Sequence, residues 1–143
     1  MRSPTDSNLA LVRHTYELWN RGGPAPLVQQ IWPPDVVFHE SPEMPDAGVY
    51  RGVEAVARRM HELVDTAGHF QIRVCSLEGR GDYVLATCEL RARARFTGLR
   101  ITQRIFYVLR CGGGWVREFR AHFDPHRARR DYERLSARRA TAP

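Results

Sequence analysis

The chain has 143 residues, 43% of them hydrophobic, and a formal net charge of +6. That length accommodates one ordinary core, so a single domain over residues 1–143 is expected, with order over about 7–137. No apolar run approaches the roughly 20 residues that cross a bilayer, and the amphipathic start "MRSPTDSNLALVRH" lacks a signal-type apolar centre, so a cytoplasmic protein with no membrane partner is expected.

All 22 basic residues are arginine, a bias that GC-rich coding produces by itself, so the charge is weak evidence for nucleic acid. Cys75, Cys88 and Cys111 are odd in number and lack CxxC spacing, which argues for free thiols and against a disulfide framework or a zinc site. No cofactor is expected.

Helical periodicity comes first. In "SNLALVRHTYELWNRGG" Leu9, Val12, Tyr16 and Trp19 share one face, and Gly22 and Gly23 supply the stop. "PAPLVQQIW" reads as a short second helix closed by Pro33 and Pro34. A strand-like "DVVFHE" then enters the proline-rich loop "SPEMPDAGVYRG". The third helix, "GVEAVARRMHELVDTAG", carries a stripe of Val53, Val56, Ala57, Met60, Leu63 and Val64. After Gly68 the period changes to two, giving strands in "HFQIRVCSLE", "DYVLATCELRARARF", "RITQRIFYVLRC" and "WVREFRAHF". A last helix, "DPHRARRDYERLSARR", has Asp124 as its cap, Pro125 at its first position and a stripe of Ala128, Tyr132 and Leu135. Helices on an antiparallel meander make an α+β domain.

Parity divides each strand into an apolar and a polar face. Phe70, Ile72 and Val74 fall on one side, as do Val84 to Phe96 in steps of two, Ile101, Ile105, Tyr107, Leu109, Phe119, Ala121 and Phe123. The opposite face is mostly arginine. It reads as a solvated surface or a polar dimer interface, and without interleaved aromatic residues to stack bases it is not expected to bind nucleic acid. In "VVFHES" the same rule turns Phe38 and Glu40 inward and His39 outward.

Polar groups on the inward face are few: Glu40, Gln103, the Tyr107 hydroxyl and Arg117. A buried charge is costly unless paired, so Glu40 reads either as a catalytic acid or base in apolar surroundings, or as a salt-bridged residue whose partner would be Arg117 or Arg51. His39, His122 and Asp124 can form an outer polar cluster. His14, His61, His69 and His126 have no spacing that suggests a metal.

The order of elements, with "YELWNRGG", "PDVVFHESPEMPDAGVYRGVEAVARRM" and "GGGWVREFRAHFD", resembles the nuclear-transport-factor-two-like superfamily over residues 8–136. Within it the chain is similar to SnoaL-like enzymes, ketosteroid isomerase, limonene epoxide hydrolase and polyketide cyclases. The resemblance implies a conical fold in which a strongly curved, mostly antiparallel sheet encloses a pocket closed by N-terminal helices, with dimers through the outer sheet face. Matched to ketosteroid isomerase, it implies Glu40 as general base, with Tyr16 (or, one residue away, Thr15) and Tyr107 as the donors. Matched to the epoxide hydrolase, the three hydrolytic positions fall on Cys88, Leu90 and Ala121, so that set is absent unless the register shifts by one and turns Glu89 and Arg91 inward. The implied walls are Trp19, Trp32, Phe38, Met60, Cys88, Leu90, Gln103, Ile105, Arg117, Phe119, Ala121 and Phe123, with Met44 and Tyr50 on the rim loop. The function expected is a cofactor-independent isomerase or cyclase moving a proton on a hydrophobic, carbonyl-bearing substrate such as a polyketide, in secondary metabolism. The alternatives are a non-catalytic ligand-binding or dimerising module of the same fold, or a pocket that templates a cyclisation by shape.

Overall fold

The structure is a computed structural model and describes residues 3–141, with side chains through Arg138. Helix α1 spans Pro4–Gly22 and begins earlier than its apolar stripe suggests, because Ser3 caps it by accepting from the Asp6 amide at 3.1 Å. Helices α2 (Pro24–Gln30) and α3 (Val53–Ala67) follow, separated by the short strands β1 (Val37–His39) and β2 (Val49–Arg51). β2 lies in what reads from sequence as continuous loop; it pairs with β1 in the register Phe38↔Tyr50. The long strands are β3 (Gln71–Arg80), β4 (Tyr83–Arg93), β5 (Arg100–Gly112) and β6 (Trp115–His122), and α4 occupies Pro125–Thr141. Residues 1, 2, 142 and 143 lie outside the described residues.

The sheet order is β2-β1-β6-β5-β4-β3. β3 to β6 form the expected antiparallel meander, and β1 joins β6 in parallel. The β5–β6 turn needs positive φ at two successive positions, 62° at Gly113 and 82° at Gly114, which only glycine adopts cheaply. Irregular register near Cys75 in β3 and near Arg117 in β6 marks bulges, which bend the sheet.

The inner face of the curled sheet meets α1, α2 and α3 in one apolar core. α1 is pinned to the edge strand: the Asn20 side chain bonds both the amide and the carbonyl of Ile72 at 2.8 Å, and Trp19 Nε1 donates to the Phe70 carbonyl at 2.9 Å. A Cβ at Gly79 would sit 2.8 Å from Thr5 Cγ2, so glycine permits this close approach of helix and strand.

The outer face is not uniformly arginine. Its end near the β3–β4 turn is covered by α4, whose Ala128, Tyr132 and Leu135 pack on Tyr83, Leu85 and Val108. β4 also stops at Arg93, three residues before the expected end, and Phe96 is 96% exposed in the turn that follows. No helix among the described residues is long and apolar enough to cross a membrane.

Candidate active site

Between the sheet's inner face and helices α1 to α3 lies a cavity of about 190 Å³. One wall is formed by Trp32, Phe38 and Phe119, part of an aromatic stack set by strand register that continues to Tyr50, which does not itself line the cavity. Phe38 is paired with Phe119 on β6 and Tyr50 on β2, and the rings follow suit, with centroids 4.6 Å apart for Phe38–Phe119, 6.2 Å for Phe38–Tyr50 and 5.7 Å for Trp32–Phe119. Trp19, Met44, Met60, Leu90, Ile105, Ala121 and Phe123 complete the candidate residues that line it.

Tyr16 and Tyr107 both line the cavity, and their rings pack against each other with centroids 5.2 Å apart. Neither hydroxyl has a hydrogen-bond partner among the described residues, and neither is among the fully enclosed orphans, a class that holds only His122 Nδ1. Both hydroxyls therefore have open space beside them, which is the cavity. Burial pushes both phenols well above the ordinary tyrosine range, and for Tyr16 the neighbouring Tyr107 adds to it. They stay neutral donors at any physiological pH. Thr15 is no substitute, because its hydroxyl is bonded to the Leu11 carbonyl at 2.8 Å.

Glu40 is the one carboxylate on the cavity wall among the described residues, and it is 7% exposed. Of its two readings, an acid or base isolated in apolar surroundings and a salt-bridged residue, the structure shows the salt bridge. Arg59 on α3 donates to Oε2 from Nε at 3.2 Å and from Nη2 at 2.8 Å, while Oε1 receives the Tyr50 hydroxyl at 2.9 Å and the Gly48 amide at 3.3 Å. The partner is neither Arg117 nor Arg51. The bond to Glu40 in turn holds the Arg59 guanidinium more firmly protonated, and loss of hydration, then the bond to Glu40, raises the Tyr50 phenol.

Behind Glu40 lies a second cavity of about 270 Å³, more polar than the first, and lined by His39, Arg120, His122, Asp131, Ala121 and the loop of Pro42, Ala47, Gly48 and Val49. Two imidazole–carboxylate pairs border it: His39 with Glu118 at 2.7 Å and His122 with Asp131 at 2.8 Å. The expected outer cluster of His39 and His122 is real, but its carboxylates are Glu118 and Asp131. Asp124 instead caps α4, accepting from the His126 amide at 2.8 Å. Glu40 is common to the walls of both cavities.

Four sequence candidates do not line the apolar cavity. Tyr50 is spent on Glu40. Cys88, fully buried on the inner face, sits in the packed core. Gln103 has the right parity but lies out along β5, where the strand has left the core and is exposed. Arg117 is the extra residue of the β6 bulge, since Cys111 pairs with Val116 and Arg110 with Glu118. Its side chain lies against Gly112 and Gly113 instead. The bulge also turns Val116 inward, where it lines the cavity, a position that simple alternation misses. Ser41, placed outward by alternation, is fully buried on the cavity wall because β1 ends at His39. Phe70, Ile72, Ala92 and Leu109 line it too, and their inward parity was the signal that could have named them.

Parity holds on β4: Glu89 points outward to Arg73 and Arg91, so the shifted register that would bring Glu89 and Arg91 inside does not occur. Among the described residues no group of three or more histidine, cysteine, aspartate or glutamate side chains could hold a metal.

The family model of the SnoaL-like domain matches residues 12–119. The chain belongs to the SnoaL-like family. No curated protein gives a significant match. Among solved structures this SnoaL-like chain is similar to Bal32a from a soil-derived mobile gene cassette, at 20% identity and a TM-score of 0.73, covering 91% of this chain and 98% of that one. A protein from a Jannaschia species assigned as a SnoaL-like polyketide cyclase matches at 16% identity and a TM-score of 0.72, covering 90% and 94%. An NTF2-like protein of unknown function from Burkholderia pseudomallei matches at 21% identity and a TM-score of 0.70, covering 95% and 98%. At these identities the likeness establishes the fold, which in SnoaL-like proteins also serves cyclases and isomerases, and leaves the chemistry to the residues of the site.

Proposed function

We propose that this SnoaL-like protein is a cofactor-independent isomerase or cyclase that binds a compact, hydrophobic, carbonyl-bearing molecule and moves a proton on it. The observation that carries the reading is the polarity of the apolar cavity. It holds one carboxylate, Glu40, and two neutral phenols without partners, Tyr16 and Tyr107. A carbonyl oxygen bonded by the two hydroxyls would satisfy both donors, and they would stabilise the charge that grows on that oxygen as a neighbouring C–H bond breaks. Glu40 would take the proton, with Arg59, Tyr50 and the Gly48 amide fixing its orientation, and the polar cavity behind it would give the proton a route to solvent. The cavity, about 190 Å³, is below the usual 300–1,000 Å³ of ligand pockets, which favours a substrate of few rings over a long polyketide chain. Cys88, Leu90 and Ala121 leave the epoxide-hydrolase arrangement without its acids, so that chemistry is not proposed.

The second reading is a non-catalytic binding module, and the observation favouring it is that all four bonds to Glu40 are already made within the protein. Glu40→Gln separates the two. Conversion of a β,γ-unsaturated bicyclic ketone to its conjugated isomer, followed by ultraviolet absorbance, should fall by about 10²-fold or more in the variant while ligand binding persists. Equal turnover in wild type and variant would retire the catalytic reading. Dimerisation through the exposed part of the outer sheet face is proposed alongside either reading, and sedimentation equilibrium tests it.

A further inference from the structure

The β4–β5 hairpin ends in a feature that neither the core nor the cavity uses. Phe96 is 96% exposed, Leu99 66% and Ile101 41%, all on one tip. Residues 91–104 contain five arginines and no carboxylate; Arg91 is ion-paired with Glu89 and Arg104 lies opposite Glu89 in the ladder, which leaves Arg93, Arg95 and Arg100 at the tip without an acidic partner among the described residues. Two of them are set directly against each other, because the ladder pairs Arg93 with Arg100. Like charges opposite one another across a strand pair destabilise it, and neither has a carboxylate within ion-pair distance among the described residues. Coding bias raises the number of arginines in a chain; it does not explain a cross-strand pair left unmatched beside an unburied phenylalanine.

We propose that this tip is a docking surface for an anionic lipid bilayer. The charge is complementary to acidic headgroups, and long arginine stems let guanidinium groups stay among phosphates while the apolar residues between them enter the acyl boundary. Phe96 and Leu99 protrude on a turn rather than lining a groove, which suits a fluid surface better than a folded acidic partner. A second copy of the chain is disfavoured as the occupant of Phe96 and Leu99, because they lie in the turn beyond the last rung of the ladder, Arg93↔Arg100, and so outside the sheet face proposed for dimerisation. The expectation of no membrane partner rested on the lack of a spanning segment, and that has no bearing on surface contact.

The tip is also placed at the cavity. Ala92 lines the cavity and is the ladder partner of Ile101, so the hairpin continues outward from the cavity wall. Arg95 Nη1 donates to the Asp65 carbonyl on α3, the helix whose Leu63 and Ala67 also line it. Docking would bring the apolar cavity's rim to the phase in which a hydrophobic ligand concentrates. The proposal stands whether or not the cavity is catalytic.

Co-sedimentation with phosphatidylcholine vesicles, with and without phosphatidylglycerol, tests it. The full chain should sediment with the anionic vesicles only, and less as salt rises. Arg93→Gln with Arg100→Gln should weaken binding by roughly fivefold for each arginine removed. Phe96→Ser with Leu99→Ser should weaken it further at fixed charge and leave the urea midpoint unchanged, since both residues are exposed. The proposal is overturned by no sedimentation, by sedimentation indifferent to the Phe96 and Leu99 changes, or by tip variants that alter the oligomeric state instead. Equal binding to a soluble polyglutamate would show a general anion site and would likewise overturn it.

Discussion

Arg59 reaches Glu40 across nineteen positions of sequence and gives two hydrogen bonds to one carboxylate oxygen, from Nε at 3.2 Å and Nη2 at 2.8 Å. The Glu40 side chain is 3% exposed and the Arg59 side chain 23%, so removing the arginine would strand a carboxylate that water scarcely reaches. Breaking a wholly buried pair costs about 3–5 kcal/mol, and the partial exposure of Arg59 places Arg59→Met nearer about 2–3 kcal/mol. Adding Glu40→Gln should restore much of that loss. A double-mutant cycle by urea denaturation measures the coupling, and strictly additive changes would show that the two residues do not act as a pair.

The phenols make the opposite prediction. Because neither the Tyr16 nor the Tyr107 hydroxyl has a partner among the described residues, Tyr16→Phe and Tyr107→Phe should change stability by no more than about 0.5 kcal/mol. Each should weaken binding of a fluorescent probe such as 2-naphthol, which can accept their hydrogen bonds, by about 1 kcal/mol. Large losses of stability with unchanged affinity would place the hydroxyls in the core's own bonding.

Much of this arrangement is legible in the sequence, and the exceptions share physical causes. Alternation turned Phe38 and Glu40 inward correctly, because β1 is flanked by β2 and β6 and must bury one face. It misassigned Arg117 and Val116, since a bulge inserts one residue and reverses parity, and nothing in "GGGWVREF" announces that. Arg59 was invisible for a different reason. It sits beside Arg58 on what reads as the solvent side of α3, and only the length of its side chain brings it to Glu40. The polar cavity behind Glu40 depends on α4 folding back over the outer face, a long-range placement that period and composition do not encode.

The two carboxylates paired with that cavity's histidines, Asp131 with His122 and Glu118 with His39, set the acid limit of stability. Both are held below the ordinary carboxylate range, Asp131 first by its hydrogen bond with His122 and Glu118 first by its hydrogen bond with His39. A lowered value in the folded state means that the unfolded chain takes up protons first as pH falls. The stabilisation is therefore complete above the ordinary range, about 4, and is lost progressively below it. Urea midpoints should drop as pH falls below about 4, and Asp131→Asn should be less stable at neutral pH with a shallower acid dependence. An acid dependence unchanged in that variant would contradict the assignment.

The thiols give a simple check on packing. Burial pushes Cys88 and Cys111 up to about 12, while Cys75 is exposed at the β3 bulge. Only thiolates attack a disulfide reagent, so the native protein should show one fast-reacting cysteine, with the other two appearing on denaturation. Fast reaction of two or more in the native state would mean that the inner face of β4 and β5 opens readily.

The proton-transfer claim itself is tested most directly by following loss of α-deuterium from a deuterated hydrophobic ketone in ordinary water by nuclear magnetic resonance. The wild-type protein should accelerate the exchange, and Glu40→Gln should lower that acceleration by about 10²-fold or more with the ketone still bound. Exchange that proceeds equally in both proteins would show that Glu40 moves no proton in this cavity.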